Sequence, residues 1–115
     1  MDRVEQVTKA KERRGTRFSE LLSPCPAGWK CGDDEGIELA RMAVQNRVFP
    51  RLEVEGGQRW RFTMANAGDP VEPYLRRQGR FRHLSAEQVT HIQVEIDAHW
   101  QQLVRRTETE ALVQA

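Results

Sequence analysis

The sequence predicts an α/β chain with one core strand, amphipathic helices and a β-hairpin. A charged helical stretch over residues 2–14 stops at Gly15, and the extended run TRFSELL follows it over residues 16–22. This order of helix, glycine and strand is typical of αβ connections in parallel-sheet proteins. With 115 residues, the chain has the length of one domain with a modest core.

The first helix is predicted to be solvated, because Val4 and Val7 are almost its only apolar side chains. Gly15 suits the left-handed conformation that commonly follows the last turn of a helix. The apolar residues of the predicted strand are Phe18, Leu21 and Leu22.

A Pro-Cys-Pro corner follows this strand. Pro24 and Pro26 lack backbone donors and fix φ on both sides of Cys25. Because a residue that precedes proline is pushed toward extended geometry, we expect Ser23 and Cys25 to be extended. The corner thus presents the Cys25 thiol on a stiff loop, and residues 27–32, with two glycines, are predicted to be irregular.

Acidic residues at positions 33–35 indicate the start of a second helix, since they oppose the unpaired amides and the dipole of a helix N-terminus. This helix is predicted to run to about Phe49, and Pro50 stops it. Residues at helical spacing predict an apolar face. They are Ile37, Ala40, Met42, Ala43, Val44 and Val48.

The period of the pattern changes over residues 51–64, where apolar and polar residues alternate on both sides of Gly56 and Gly57. A glycine pair between two alternating runs is a strong hairpin signal. Residues 66–70 have the composition of a loop.

The remainder predicts two more helical elements. Residues 71–78 form a short helical turn that Gly79 ends, and residues 80–84 are extended or irregular. Ser85 opens the last helix, with Gln88 in position to complete a capping box. The helix is predicted to run for about 20 residues. Its apolar side consists of Val89, Ile92, Ile96, Trp100, Leu103 and Val104.

Composition and charge limit the function classes. The net charge of +1 gives no global field that would attract the chain to nucleic acid or a membrane. No run of residues approaches the ~20 apolar residues that a membrane span requires. The first residues lack the apolar segment of a secretion signal, and two cysteines in such a chain indicate a reducing compartment. We therefore expect a cytoplasmic protein.

Spacing alone leaves the role of the cysteines open. Cys25 and Cys31 are six positions apart, which is not a CxxC motif, and the chain has no phosphate loop, HExxH or GxSxG. One cysteine could pair with a histidine as a nucleophile, or both could join two histidines around zinc. The available histidines are His83, His91 and His99. Cys25 could equally be a small buried hydrophobe.

A basic segment over residues 74–83 places four arginines among aromatic side chains. Such a segment is compatible with nucleic-acid binding. Because the rest of the chain offsets its charge, we expect a solvated or subunit-contacting face and no nucleic-acid partner.

Four segments, LLSPCPAGW, GIELARMAVQNRVFP, LEVEGGQRWRFT and PVEPYLRRQGRFRHL, resemble the beta subunit of pyruvate:ferredoxin oxidoreductase. More broadly, the resemblance is to the thiamine-diphosphate-binding subunit of 2-oxoacid:ferredoxin oxidoreductases. It covers residues 4–100 in the same order and spacing, and corresponds to the C-terminal part of that subunit. It implies the C-terminal portion of a thiamine-diphosphate-binding fold.

The resemblance also implies the chemistry. Enzymes of this family oxidise a 2-oxoacid with coenzyme A to an acyl-CoA, using thiamine diphosphate, Mg²⁺ and iron–sulfur clusters that pass electrons to ferredoxin. Cys25 matches the position of the fourth ligand of a [4Fe-4S] cluster in the beta subunit. The resemblance assigns no ligand role to Cys31 and no catalytic residue to this chain.

The resemblance predicts that residues 1–115 form a single partial domain with a frayed tail at 107–115. We expect partners in the other subunits, or in the missing N-terminal half with its GDG-type thiamine motif, and no activity from this chain alone. We expect no membrane partner. The alternative is a non-catalytic assembly or binding module that keeps the fold without the redox role.

Overall fold

A computed structural model describes residues 2–63 and 67–114, with side chains described for residues 4–63 and 67–107. Within these ranges the chain forms five α-helices, two 3₁₀ helices and one two-stranded sheet. The elements are α1 (Asp2–Glu12), α2 (Pro26–Trp29), a 3₁₀ helix (Asp33–Glu35), α3 (Gly36–Gln45), β1 (Leu52–Glu55), β2 (Arg59–Phe62), α4 (Glu72–Arg76), a 3₁₀ helix (Gly79–Phe81) and α5 (Ala86–Gln114). None of the helices in this part of the chain is long and apolar enough to cross a membrane.

The predicted hairpin is confirmed. Strands β1 and β2 pair antiparallel, with Leu52 opposite Phe62. Gly56 and Gly57 both have positive φ, +59° and +70°, which side chains other than glycine rarely adopt. The N–H of Gln58 closes the turn on the carbonyl of Glu55 at 3.1 Å. Met64 of the predicted hairpin segment and Asn66 of the predicted loop lie outside the described residues.

The prediction of a strand over residues 16–22 is wrong for the described part of the chain, where this segment has no regular secondary structure. A strand requires a neighbour for its hydrogen-bond ladder, and the sheet described here contains only β1 and β2. Of the apolar residues in this segment, only Leu22 packs against the core. Phe18 is 86% exposed, and Leu21 is also exposed.

Helix α1 is solvated, as predicted, and it ends at Glu12, close to the predicted boundary. Gly15 has the expected left-handed backbone, with φ of +95°. Ion pairs to the hairpin hold the helix: Lys9 Nζ lies 3.5 Å from Glu53 Oε2, and Arg13 Nη2 lies 3.1 Å from Glu55 Oε2.

Helix α3 is shorter than predicted. It ends at Gln45 because Arg47 adopts a left-handed backbone with φ of +68°. The amides of Gly68 and Asp69 then donate to the carbonyl of Gln45, at 2.8 and 3.0 Å, and satisfy this end of the helix.

The predicted apolar face of α3 is confirmed at Ala43 but not at Ile37, and Leu39, which was not predicted, is buried. Leu39 and Ala43, one helical turn apart, are fully buried, whereas Ile37 is 75% exposed. This difference follows from packing, because α3 lies against α4 and turns the Leu39 side inward. The core contains Trp29, Leu39, Ala43, Val71, Tyr74, Leu75 and Val89.

Helix α5 begins with the predicted capping box. The Ser85 amide donates to Gln88 Oε1 at 2.8 Å, and the Gln88 amide donates to Ser85 Oγ at 3.2 Å. The helix continues to Gln114, beyond the predicted length of about 20 residues. Fraying of residues 107–115 stays a prediction. Trp100 of α5 stacks on Phe62 of β2, with ring centroids 4.6 Å apart, and so joins the helix to the hairpin.

The capping box gives a first test of this fold. We expect Ser85→Ala to lower the free energy of unfolding by about 1 kcal/mol, because the Gln88 amide loses its acceptor. Urea denaturation of the full chain measures this change. Ser19→Ala, in the exposed segment before the corner, is the control and should stay within about 0.5 kcal/mol of the unsubstituted chain. Equal effects of the two substitutions would contradict the capping role.

Candidate functional site: the Cys25 corner

Cys25 caps the N-terminus of α2. Its backbone is extended, with φ of −111° and ψ of 108°, as the flanking prolines predict. Its carbonyl accepts from the Trp29 amide at 2.8 Å, and its Sγ accepts from the Gly28 amide at 3.4 Å. The residue itself is exposed. Cys25 is therefore not the buried hydrophobe that spacing allowed.

The prediction of an irregular loop over residues 27–32 is wrong at its start, where Ala27 to Trp29 complete a helical turn. Pro26 stands at the first position of this turn, where its fixed φ suits a helix and its missing N–H costs nothing. Lys30 ends the turn in a left-handed conformation, with φ of 53°, and its N–H donates to the carbonyl of Pro26.

Trp29 anchors the corner in the core. Only 7% of the residue is exposed. Its ring meets the ring of Tyr74 edge to face, with centroids 6.2 Å apart, and the Arg80 guanidinium lies over it at 4.3 Å from the centroid. The C-terminal end of the four-residue helix α2 is thus fixed by the packing of Trp29, and the exposed thiol of Cys25 lies at the N-cap of the same helix.

Residues 74–81, named here the 74–81 segment, supply the side chains that contact Trp29. Gln78 is fully buried; its Nε2 donates to the carbonyl of Tyr74 at 2.9 Å, and its Oε1 accepts from Arg80 Nε at 2.8 Å. The Gly79 amide donates to the carbonyl of Lys30 at 2.8 Å. The sequence did not reveal the roles of Gln78 and Arg80, because a buried glutamine cannot be told from a surface one by spacing.

The side chains of three of the four arginines of the basic segment have partners within the chain. Arg76 donates to the carbonyl of Leu84 at 2.8 Å, and Arg77 Nη1 lies 3.9 Å from Glu38 Oε1. Arg80 is held by Gln78 and by aromatic rings. Contacts within the fold therefore explain most of the arginines in this segment. From the sequence alone, the same arginines were compatible with nucleic-acid binding.

The other candidate donors do not join Cys25. Cys31 is half-buried and packs against the core cluster. His91 is exposed, and its Nε2 lies 3.2 Å from Glu95 Oε1 on the same helix. In the described ranges no group of three or more His, Cys, Asp or Glu side chains could hold a metal ion, so the zinc site considered from the sequence is not assembled there.

This donor set fits an iron–sulfur cluster only in part. A [4Fe-4S] cluster is held by four cysteine thiolates, and the described residues offer one exposed thiol, that of Cys25. Its fixed, extended backbone and outward sulfur suit a ligand to a group whose other ligands come from elsewhere.

An open pocket of about 330 Å³ is lined by residues of the 74–81 segment and of α5, together with Arg47, Val48 and Val71. Its lining is mostly aliphatic and aromatic, with Tyr74, Arg47, Arg80, Glu95 and His99 as the polar residues. Burial raises the pKa of the Tyr74 hydroxyl above its ordinary value, although Gln78 and Arg80 act in the opposite direction. The hydroxyl therefore stays neutral near pH 7.

Comparison with known proteins defines the family. No family model matches the chain. It is 36% identical, over 110 residues and 93% of its length, to the ketoisovalerate oxidoreductase subunit VorB of Pyrococcus horikoshii. It is 39% identical, over 97 residues and 84% of its length, to the pyruvate synthase subunit PorB of Methanocaldococcus jannaschii. It is 40% identical, over 103 residues and 89% of its length, to PorB of Methanothermobacter thermautotrophicus.

These relatives are subunits of oxidoreductases. More specifically, the chain is homologous to part of the PorB and VorB subunits of 2-oxoacid:ferredoxin oxidoreductases, which confirms the resemblance found in the sequence. The chain spans about a third of the length of these curated relatives, with 35%, 32% and 35% of them covered.

Proposed function

We propose that this chain acts within a 2-oxoacid:ferredoxin oxidoreductase, where it supplies Cys25 as one ligand of a [4Fe-4S] cluster and makes contacts with other subunits. The observation that carries the proposal is an exposed thiol on a corner that is anchored in the core. Such a thiol loses little conformational freedom when it binds iron. The remaining ligands come from outside the described residues.

The geometry favours Cys25 over Cys31 as the ligand. The Cys25 sulfur already accepts an amide hydrogen bond from Gly28, and hydrogen bonds to cluster sulfurs are one means by which proteins tune these centres. Cys31 is half-buried against the core, so its coordination to an external cluster would require the core to open.

The assembly that we propose oxidises a 2-oxoacid, with pyruvate the expected one, to an acyl-CoA. Thiamine diphosphate and Mg²⁺ belong to the full assembly and not to this chain alone. The cluster supplies one-electron transfer toward ferredoxin. Two free cysteines suit a reducing compartment, so we place the assembly in the cytoplasm.

Exposed apolar side chains support contacts with other subunits. Phe18, Leu21 and Ile37 are all largely exposed, and a partner that covered them would remove apolar surface from water. Phe18 and Leu21 lie on the segment that leads directly into the Cys25 corner. A partner that covers this segment would therefore also reach the thiol.

Co-expression with the remaining, thiamine-binding part of a PorB relative tests the proposal. We expect the purified complex to show iron–sulfur absorbance, and Cys25→Ser to lose most of its iron. Because Cys25 would bond to iron directly, its substitution should lower the affinity for iron by more than the ~10-fold that substitutions of outer-shell residues commonly cause.

Cys31→Ser is the matched control and should keep the iron of the unsubstituted complex. Normal iron in the Cys25→Ser complex would overturn the ligand role. A stable complex without iron in any variant would instead favour the non-catalytic assembly module.

A further inference from the structure

We infer that Arg80 is a positioning residue for the Cys25 thiol and acts through Trp29, so that the 74–81 segment determines where the sulfur is presented. This inference rests on the proposed function, because it concerns Cys25 as a cluster ligand. Arg80 lies 55 positions after Cys25 in the sequence, and no motif connects the two residues.

The first link is the stack of Arg80 on Trp29. The guanidinium carbon lies 4.3 Å from the Trp29 ring centroid and 4.5 Å from the ring centroid of Phe81. It therefore lies over the ring of Trp29, which also contacts the buried Tyr74. Such contacts between a cation and an aromatic face contribute most when they are partly desolvated, as at this half-buried arginine.

The second link fixes the guanidinium itself. Arg80 Nε donates to Gln78 Oε1 at 2.8 Å, and the opposite end of the same amide donates to the Tyr74 carbonyl at 2.9 Å. Gln78 is fully buried, so its orientation is set by the core. Arg80 is consequently held on Trp29 by a neighbour that cannot turn away to solvent.

The third link is a backbone hydrogen bond between the 74–81 segment and the residue that follows α2. The Gly79 amide donates to the Lys30 carbonyl at 2.8 Å. The approach is so close that a Cβ on Gly79 would lie 2.5 Å from the Lys30 Cβ and 2.9 Å from the Lys30 carbonyl oxygen. The 74–81 segment thus holds α2 immediately after Trp29 as well as through its ring.

The last link carries this restraint to the sulfur. Helix α2 has only four residues, and both the carbonyl and the Sγ of Cys25 accept amides from its last two residues, Trp29 and Gly28. A displacement of Trp29 would therefore move the donors that orient the thiol. Substituting Arg80 should therefore alter the cluster through Trp29 and α2.

The experiment compares three variants of the co-expressed complex. Arg80→Met removes the charge and the bond to Gln78; Arg80→Lys keeps a charge but loses the planar stack and the Nε donor; Arg82→Met is the control, since Arg82 is exposed two residues away. The two measurements are the rate at which a chelator removes iron and the electron paramagnetic resonance spectrum of the reduced cluster.

We expect Arg80→Met to lose iron about tenfold faster, in the range that outer-shell residues of metal sites show, and to change the spectrum. Arg80→Lys should fall between Arg80→Met and the unsubstituted complex, and Arg82→Met should match the unsubstituted complex. If Arg80→Met does not assemble, Arg80→Lys decides: a normal rate and spectrum would overturn the inference.

The same experiment separates the two proposals. Loss of iron in Cys25→Ser together with a normal rate and spectrum in the Arg80 variants would overturn the positioning role and leave the ligand role intact. Normal iron in Cys25→Ser would overturn the ligand role, and the positioning role with it.

Discussion

Leu39→Ala should lower the free energy of unfolding by about 2–5 kcal/mol, the range for removing a buried leucine side chain. Leu39 is 0% exposed and belongs to the core cluster, on the helix α3 that packs against α4. A loss of this size is a large fraction of the stability of a small domain. Urea denaturation of the full chain, followed by circular dichroism, measures it.

Ile37→Ala is the matched control on the same helix. It removes a branched aliphatic side chain that is 75% exposed, so the free energy of unfolding should change by no more than about 0.5 kcal/mol. The pair tests which face of α3 is buried. A larger effect at Ile37 than at Leu39 would restore the face that helical spacing predicted and contradict the packing described here.

Trp29→Ala should cost about 3–5 kcal/mol, as expected for truncation of a buried aromatic residue. The substitution removes the edge-to-face contact with Tyr74 and leaves Arg80 without the ring that it covers. Because Trp29 anchors α2, the loss should extend to the Cys25 corner. The measurement is again the urea midpoint, with the fluorescence of the remaining tryptophans as a second probe.

Phe18→Ala is the control for that truncation. Phe18 is also an aromatic residue close to the corner, but it is 86% exposed and should contribute less than about 0.5 kcal/mol to the stability of the chain. Comparable losses from the two substitutions would mean that residues 16–22 are packed in solution. That result would contradict the exposed position of Phe18 described here.

Local signals explain which elements the sequence predicted well. The Gly56-Gly57 hairpin depends on backbone conformations that glycine adopts readily, and the Ser85 capping box depends on residues three positions apart. The extended backbone of Cys25 follows from the proline after it. Each of these features is determined within a few residues, so each could be read without knowledge of the partners.

The incorrect predictions depended on distant partners. The segment over residues 16–22 has a strand-like composition, but a strand forms only beside another strand, and the described chain provides none there. In α3, both Ile37 and Leu39 are apolar, and only the position of α4 determines which of them is buried. Helical spacing alone could not distinguish them.

In the candidate site, too, the sequence predicted the local features but not the contacts between distant segments. The corner and its cysteine were identified from the order Pro-Cys-Pro, and the family from four linked segments. The residues that hold the corner were not identified, because Gln78 and Arg80 meet Trp29 through a contact between segments about 50 positions apart. Only the folded chain brings them together.

The most direct test of the ligand role of Cys25 is the position of iron in the assembled complex. Crystals of the co-expressed complex, measured at the iron absorption edge, locate the cluster by anomalous scattering without reference to activity. We predict an iron peak within bonding distance of Cys25 Sγ, with the other ligands supplied by the rest of the assembly. A well-occupied cluster with no iron bonded to Cys25 Sγ would contradict the proposal.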